Sequence, residues 1–414
     1  MLSGSCYRRY LKEQVYLSRI ILKLMQSIDA IAIVRRRFAV RLSVFYAATF
    51  AIGGAYMPFF PLWLKARGLD SAWIGIVIAM PTVARLTAVP AVTRFAERRH
   101  AIVPAILITS VLATAGFALL ATTSAVLAIA LVLLVTACAW TPTVPLTDAY
   151  ALRGVAAHEV SYGPIRLWGS VAYIAGVLAA GFVAAAVAPV HLIWVIVAIT
   201  ALSAVSALTL EPMPAVALPG AARAASPGLL RQQGFVAILV AAALIQGSHA
   251  AYYSFSSIAW QAEGFGSTTI SVLWSLCVVA EIVLFAWSPR LRLASSTLII
   301  LGGAGAAVRW AVTGLEPSLA VLVVVQLLHA LSFGATHLGT MGLLAHRVPS
   351  HSLATAQGTL TASIGIVSAT ATILCGRLYN DYGQSIYFGM AVMAATGALV
   401  MLVMRREVEK KPAA

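Results

Sequence analysis

Long apolar runs follow one another along the chain, separated by short polar or turn-forming stretches. Each is close to the ~20 mostly apolar residues that carry a helix across a bilayer. The pattern predicts twelve spans, near residues 41–64, 71–92, 101–121, 124–148, 163–187, 190–210, 234–260, 267–288, 295–313, 317–345, 352–376 and 384–404. Pro81, Pro90 and Pro145 fall inside runs without disqualifying them, because neighbouring helices can satisfy the backbone groups they free. The one long polar interruption, Glu211 to Gly234, carries Pro212, Pro214, Pro219 and Pro227 with Arg223 and Arg231, and reads as a linker between two halves. The expected organisation is a basic N-terminal extension (1–37), a six-helix bundle (38–210), a cytoplasmic linker (211–233), a second six-helix bundle (234–405) and a short tail (406–414).

Composition supports this reading. Of 414 residues, 61% are hydrophobic and 10% charged, whereas a soluble domain carries about 25% charged residues. The net charge of +15 raises nucleic-acid binding as an idea, but the basic residues sit in short clusters between apolar runs, which is the signature of membrane topology. With both termini cytoplasmic, the inner segments collect the N-terminal cluster, Arg94, Arg98, Arg99, Arg153, Arg223, Arg231, Arg290, Arg292, Arg347, Arg405, Arg406, Lys410 and Lys411. The outer loops hold only Lys65, Arg67 and, near a span end, Arg377. The reverse orientation breaks the positive-inside rule. The extension has an apolar segment, Val15 to Ile33, interrupted by Arg19, Lys23 and Asp29. Without a small-residue cleavage site it does not read as a signal peptide; it reads as a basic amphipathic helix on the inner membrane face, or as the product of a start codon placed too far upstream. Cys138, Cys277 and Cys375 lie in apolar runs, and with Cys6 they show no metal or redox spacing. They read as small buried apolar side chains.

The informative residues are ionisable groups at membrane depth, which are costly and usually line a cavity or a proton path. Two carboxylates fall within spans, Asp148 in the fourth and Glu281 in the eighth. They are joined by Arg85, Arg166 and Arg309, and by His249, His329 and His337. Asp148 and Arg166 flank one cytoplasmic loop and can meet, either as a pair fixing two helices or as groups that recognise solute, with Arg166 offering a bidentate fork. Glu281 has no basic neighbour in sequence before Arg290. A carboxyl shielded from water favours its neutral form, which suits a group that takes up and releases a proton; a static hydrogen bond to His329 or Arg309 is the plainer role. His329 and His337 are eight apart, on nearly one helical face about two turns apart, and histidine titrates near neutrality. No third ligand makes a metal site with them. Gln246 to Phe255 mixes polar and aromatic residues, including His249 and Tyr252, as a binding wall does; Tyr173 and Trp168 add to it.

Four stretches then make the chain resemble the major facilitator superfamily over residues 38–405, and more closely its phenylpropionate permease family, relatives of the lactose permease type of proton symporter. They are Pro58-Phe59-Phe60-Pro61-Leu62-Trp63-Leu64-Lys65-Ala66-Arg67-Gly68-Leu69, Tyr162-Gly163-Pro164-Ile165-Arg166-Leu167-Trp168-Gly169-Ser170, Ser248-His249-Ala250-Ala251-Tyr252-Tyr253 and Leu328-His329-Ala330-Leu331-Ser332-Phe333. The resemblance implies the major facilitator fold: an all-α membrane protein of twelve transmembrane helices in two bundles. It implies a conformational latch at Thr93-Arg94-Phe95-Ala96-Glu97-Arg98-Arg99, where Thr93 and Glu97 replace the family's glycine and aspartate, so that Arg94, Glu97 and Arg98 carry the charge pattern. It implies that Asp148 and Arg166 grip solute, that Tyr173 stands where relatives stack a tryptophan on a sugar ring, and that Glu281, Arg309 and His329 match an acidic residue, an arginine and a histidine of the proton route. Two positions depart from the lactose permease pattern. Ser332 replaces its proton-carrying acid, and Gln326 stands where a bridging lysine would be, which makes Glu281 the main candidate for the proton.

The expected function is alternating-access symport of protons with a small organic solute across the bacterial inner membrane by a monomer, with no cofactor, metal or nucleic acid. Glu281, His329 and Arg309 are expected to couple the proton, and Asp148, Arg166, Tyr173, His249, Tyr252 and His337 to touch an aromatic carboxylate such as 3-phenylpropionate. Sugar or nucleoside symport, drug–proton antiport, and a sensor built on a carrier fold remain open. A membrane enzyme does not fit, since no Ser-His-Asp or metal-ligand spacing stands out.

Overall fold

In a computed structural model all the regular structure is helical among the described residues, which are 4–212, 229–349 and 352–410, with side chains described from residue 32 onward except at 354. The linker expected at 211–233 lies mostly outside them. Eleven helical stretches among the described residues are long and apolar enough to cross a membrane. The last, Thr355–Val403, is 49 residues long and turns at Gly383, whose φ of +52° favours glycine.

The helices are α1 (Gly4–Ala66), α2 (Ser71–Arg98), α3 (Ile102–Thr122), α4 (Val126–Trp140), α5 (Thr143–His158), α6 (Tyr162–Ala186), α7 (Ile193–Ala207), α8 (Gln233–Gly247), α9 (Ala250–Ala262), α10 (Ser267–Trp287), α11 (Ser295–Thr313), α12 (Leu319–Leu327), α13 (Thr336–Arg347), α14 (Leu353–Tyr382), α15 (Ile386–Val403) and α16 (Arg405–Glu409). Helix α1 runs unbroken from the basic extension into the first span. Among the described residues no break separates the extension from the span. The α1–α2 turn is set by Gly68 at φ +83° and by the Asp70 carboxylate, which accepts from the Trp73 N–H at 2.8 Å and caps α2.

Three of the predicted spans are interrupted, and they carry half of the ionisable candidates, Asp148, His249, His329 and His337. The fourth breaks at Thr141-Pro142, between α4 and α5: Pro142 has no N–H to donate, and the Thr141 hydroxyl donates to the Ala137 carbonyl at 2.8 Å. The seventh breaks at Ser248-His249, where Ser248 donates to the Ile245 carbonyl at 2.6 Å and His249 Nδ1 lies 3.2 and 3.1 Å from the carbonyls of Ile245 and Gln246. Side chains that capture carbonyls of the preceding turn compete with helix hydrogen bonding. The tenth widens into a π-helical segment, Ala330–Ala335, between α12 and α13. Irregular backbone at this depth is tolerated where it is buried in protein or lines a cavity, and π turns recur at functional sites.

Packing divides the helices into two groups. Helix α1 packs on α6 and α7, and α3 on α4, α5 and α7; α11 packs on α13 and α15, and α8 on α14 and α15. The groups meet through α2 on α14, α6 on α10 and α1 on α9. At the end that holds the α1–α2 turn they touch backbone to backbone. A Cβ added to Gly75 would lie 2.7 Å from the Thr372 carbonyl oxygen and 2.9 Å from Gly376 Cα, and one added to Gly181 would meet the Ser271 side chain at 2.4 Å. Toward the other end the facing helices carry exposed apolar side chains, Trp168 on α6 and Trp287 on α10.

Candidate functional site

Between the two groups lies a chamber of about 280 Å³. One wall is Phe50 and Met57 from α1 with Arg166, Ser170 and Tyr173 from α6; the other is formed by Tyr252 and Tyr253 of α9, by Trp274, Cys277, Val278 and Glu281 of α10, and by His329 and Phe333. The chamber thus holds Arg166, Tyr173, Tyr252, Glu281 and His329 together. Asp148, His249, Arg309 and His337 are not among its lining residues.

Asp148 and Arg166 do not form the ion pair open to them. One carboxylate oxygen of Asp148 accepts from Tyr46 Oη at 2.6 Å and from Tyr162 Oη at 3.2 Å. The first distance is that of a charge-assisted O–H···O⁻ bond. Arg166 instead lies over aromatic faces, with Cζ 3.9 Å from the Phe50 centroid and 5.5 Å from that of Tyr46. Sequence proximity brought the right residue types to one region, but the tyrosines took the carboxylate. Nothing in the hydropathy of the first span singles out Tyr46 or Phe50.

On the opposite side Arg309 is fully buried and has no carboxylate partner among the described residues. Its guanidinium lies near the rings of Tyr252 and Trp310, at 4.6 and 4.4 Å. Nη2 donates to Gln326 Oε1 at 2.8 Å and approaches Cys277 Sγ at 3.4 Å; Nη1 donates to His329 Nδ1 at 2.9 Å and to Ser332 Oγ at 3.3 Å. Because arginine can only donate, His329 Nδ1 is the acceptor, and the neutral ring carries its proton on Nε2. That atom faces Glu281 Oε2 at 3.7 Å. His249 has the opposite tautomer: its Nδ1 meets two carbonyls, which only accept, so Nε2 accepts from the Ser332 hydroxyl at 3.2 Å. His249 therefore sits behind the chamber wall as part of the support for Arg309. Gln326 and Ser332, the two departures from the lactose permease pattern, are both hydrogen-bonded to Arg309. Cys277, read as a small buried apolar side chain, is buried but also lines the chamber and joins the same cluster; its place one turn before Glu281 on α10 was the signal available.

His329, Phe333 and His337 form a stacked column along one face, with centroids 5.3 and 6.3 Å apart. The spacing of eight thus shares a face, but His337 is exposed below the chamber, beside Phe285. At the end of α2, Glu97 approaches Arg153 of α5 at 3.7 Å, while Arg94 and Arg98 form no ion pair among the described residues. Arg85 is exposed on α2. No cluster of three or more metal-ligating side chains occurs among the described residues.

With this geometry in place, comparison with known proteins is decisive at the level of family. The model of the MFS_1 like family matches residues 39–390. The chain belongs to that family. Its members are membrane transporters and not enzymes. Among relatives, it is 32% identical over 367 residues to a probable 3-phenylpropionic acid transporter of Escherichia coli (strain K12), covering 85% of this chain and 94% of that one. It is 25% identical over 369 residues to the maltose permease of Geobacillus stearothermophilus, covering 88% and 93%. Among solved structures, a variant of the nucleoside transporter NupG superposes with a TM-score of 0.80 at 16% identity, covering 89% of this chain and 99% of that one. The inward-open xylose transporter XylE from E. coli gives 0.66 at 11% identity, covering 90% and 95%. At such identities these structures speak for the fold alone.

Proposed function

We propose that the chain is a proton-coupled symporter that imports an aromatic carboxylate of the 3-phenylpropionate kind across the bacterial inner membrane. Twelve crossings, with α14 and α15 counted separately, form two six-helix halves, 38–210 and 234–405, with both termini inside, in keeping with the basic residues near the ends of α2, α5, α13 and α15. The contacts at Gly75 and Gly181 close the outer end, so the chamber is read as open inward.

The observation that carries the proposal is that Arg166 and Glu281 face one chamber from opposite halves, among aromatic rings. Arg166 has no carboxylate partner among the described residues, so its N–H groups are available to a solute carboxylate, and Tyr173, Tyr252 and Trp274 offer faces to a ring. Charge bookkeeping supplies the coupling. Asp148 offsets Arg166 in one half, and ionised Glu281 offsets Arg309 in the other. A bound anion adds one uncompensated negative charge, which costs several kcal/mol in a site screened from water. A proton on Glu281 removes that charge, so anion and proton each favour the other's binding. His329, with its tautomer fixed by Arg309, points Nε2–H at Glu281 and can stabilise the ionised carboxylate after proton release. A sugar needs no such neutralisation, and Asp148, the group suited to sugar hydroxyls, is held by two tyrosines outside the chamber lining.

The test is uptake of labelled 3-phenylpropionate into proteoliposomes. An inward-directed proton gradient should drive accumulation above equilibrium, and a protonophore should abolish it. Accumulation driven only by the reverse gradient would establish antiport; no flux of any aromatic acid would remove the proposed substrate class.

A further inference from the structure

Resting on the reading that Arg166 takes the solute carboxylate, we infer that Phe50 is a positioning residue that holds Arg166 flat and ready for a bidentate contact. Three observations converge. The guanidinium carbon stands 3.9 Å from the Phe50 centroid, the spacing of close face contact between a cation and a ring. Gly169, on the same helix as Arg166, leaves room for this: a Cβ there would lie 2.9 Å from Arg166 Nη1 and 3.1 Å from Phe50 Cδ2. Tyr46, one turn before Phe50 on α1, has its ring 6.1 Å from that of Phe50 and its hydroxyl bonded to Asp148.

The arrangement has a chemical logic. A guanidinium anchored by an ion pair would have its donors occupied, and solute would have to displace a carboxylate. A guanidinium held by a ring face keeps all its N–H groups in its own plane, free to bind a carboxylate side-on. Asp148 then acts at a distance: it balances the charge and fixes Tyr46 through the hydroxyl, yet it does not compete for the donors. Phe50 and Gly169 thus set the orientation of Arg166, and Asp148 sets its electrostatic surroundings.

Two readouts test this. The first needs no solute. Reaction of Arg166 with phenylglyoxal, followed by peptide mass spectrometry, should be several-fold faster in Phe50→Leu and in Gly169→Ala than in wild type, and near wild type in Phe50→Tyr, which keeps the ring face. The second is transport of 3-phenylpropionate: Phe50→Leu should raise KM about tenfold, the scale of a lost cation–ring contact, with kcat changed less than twofold, and Phe50→Tyr should restore KM. A wild-type labelling rate in Phe50→Leu overturns the inference whichever solute is carried. Faster labelling in a protein that transports no aromatic acid supports the role of Phe50 and refutes only the proposed substrate. A Phe50→Tyr variant as impaired as Phe50→Leu shows a packing role in place of the ring–cation contact and also overturns the inference.

Discussion

The glycine contact between α2 and α14 gives the sharpest handle on the conformational cycle. In Gly75→Val, the new Cβ would sit 2.7 Å from the Thr372 carbonyl oxygen and 2.9 Å from Gly376 Cα. Both are backbone atoms, so no side chain can rotate away. The helices must separate by roughly 1 Å to restore ordinary contact in an interior packed as densely as this one. Overpacking of this kind costs about 1–3 kcal/mol. The penalty falls only on conformations in which these helix ends touch, so the equilibrium should shift toward separation at that end by about 5- to 150-fold. Double electron–electron resonance between spin labels at Lys65 and Asn380, exposed positions on the two sides of this contact, should gain a longer-distance population in Gly75→Val. Gly163→Val is the control, since a Cβ there meets nothing within 4 Å. A distance distribution in Gly75→Val that superimposes on wild type would refute the reasoning, because the contact would then not be what closes this end.

Three further outcomes follow from the site and the inner face. Glu281→Gln, fixed in an uncharged state, should lose accumulation driven by a proton gradient while retaining exchange of pre-loaded solute, as measured in proteoliposomes; gradient-driven accumulation in the variant removes Glu281 from coupling. Arg309→Met removes the donor to Gln326, His329 and Ser332 and leaves their buried polar atoms without it; at about 1.5–3 kcal/mol for a charged hydrogen bond, unfolding in detergent should begin at a markedly lower temperature, and an unshifted transition would mean the cluster is not structural. At the inner end, the Ser296 hydroxyl bonded to Glu409, with Arg405 beside it, holds the Glu409 carboxyl below the usual carboxylate range. A depressed carboxyl stabilises the folded state above its unfolded value of ~4.3 and loses that contribution as pH falls through the lower folded value. The protection of α16 amides against hydrogen exchange, taken relative to the intrinsic exchange rate at each pH, should accordingly stay flat from neutrality to about pH 5 and fall on further acidification, and a fall beginning near neutrality would contradict the assignment.

The sequence made the spans plain because a bilayer demands ~20 apolar residues wherever the chain crosses it, and that demand is written in composition. It made the residue types of the site plain for the complementary reason: charges in that setting stand out. What it left open was set by competition among neighbours. Asp148 had Arg166 as a partner of opposite sign, but two tyrosine hydroxyls from α1 and α6 reached it first. His249 lay in a run that reads as a binding wall, yet capture of two carbonyls one turn back bent the helix and turned the ring away from the chamber. The break at Thr141 was hinted at by Pro142 and Pro145. The π-helical segment has no comparable signal, since Ala330 to Ala335 contains nothing that prefers it over an α-helix. The last two spans were separable in sequence, because Arg377, Asn380 and Asp381 interrupt the apolar pattern, and the backbone ends the helix beside them at Gly383, with its positive φ.

The wide turns at Ala330–Ala335 also bear on how this gene can vary. An α-helix of the same rise would need one residue fewer there, so the segment carries slack in its length. Loss of a single codon at Gly334 or Ala335, after Ser332 and Phe333, can be absorbed by tightening to α-helical winding, with His329 and Ser332 left against Arg309 and α13 kept near its present phase. The same loss in α11 would turn Arg309 through about 100° and scatter every partner it holds. Length polymorphism in this helix is therefore expected to concentrate at the end of the segment, at Gly334 and Ala335.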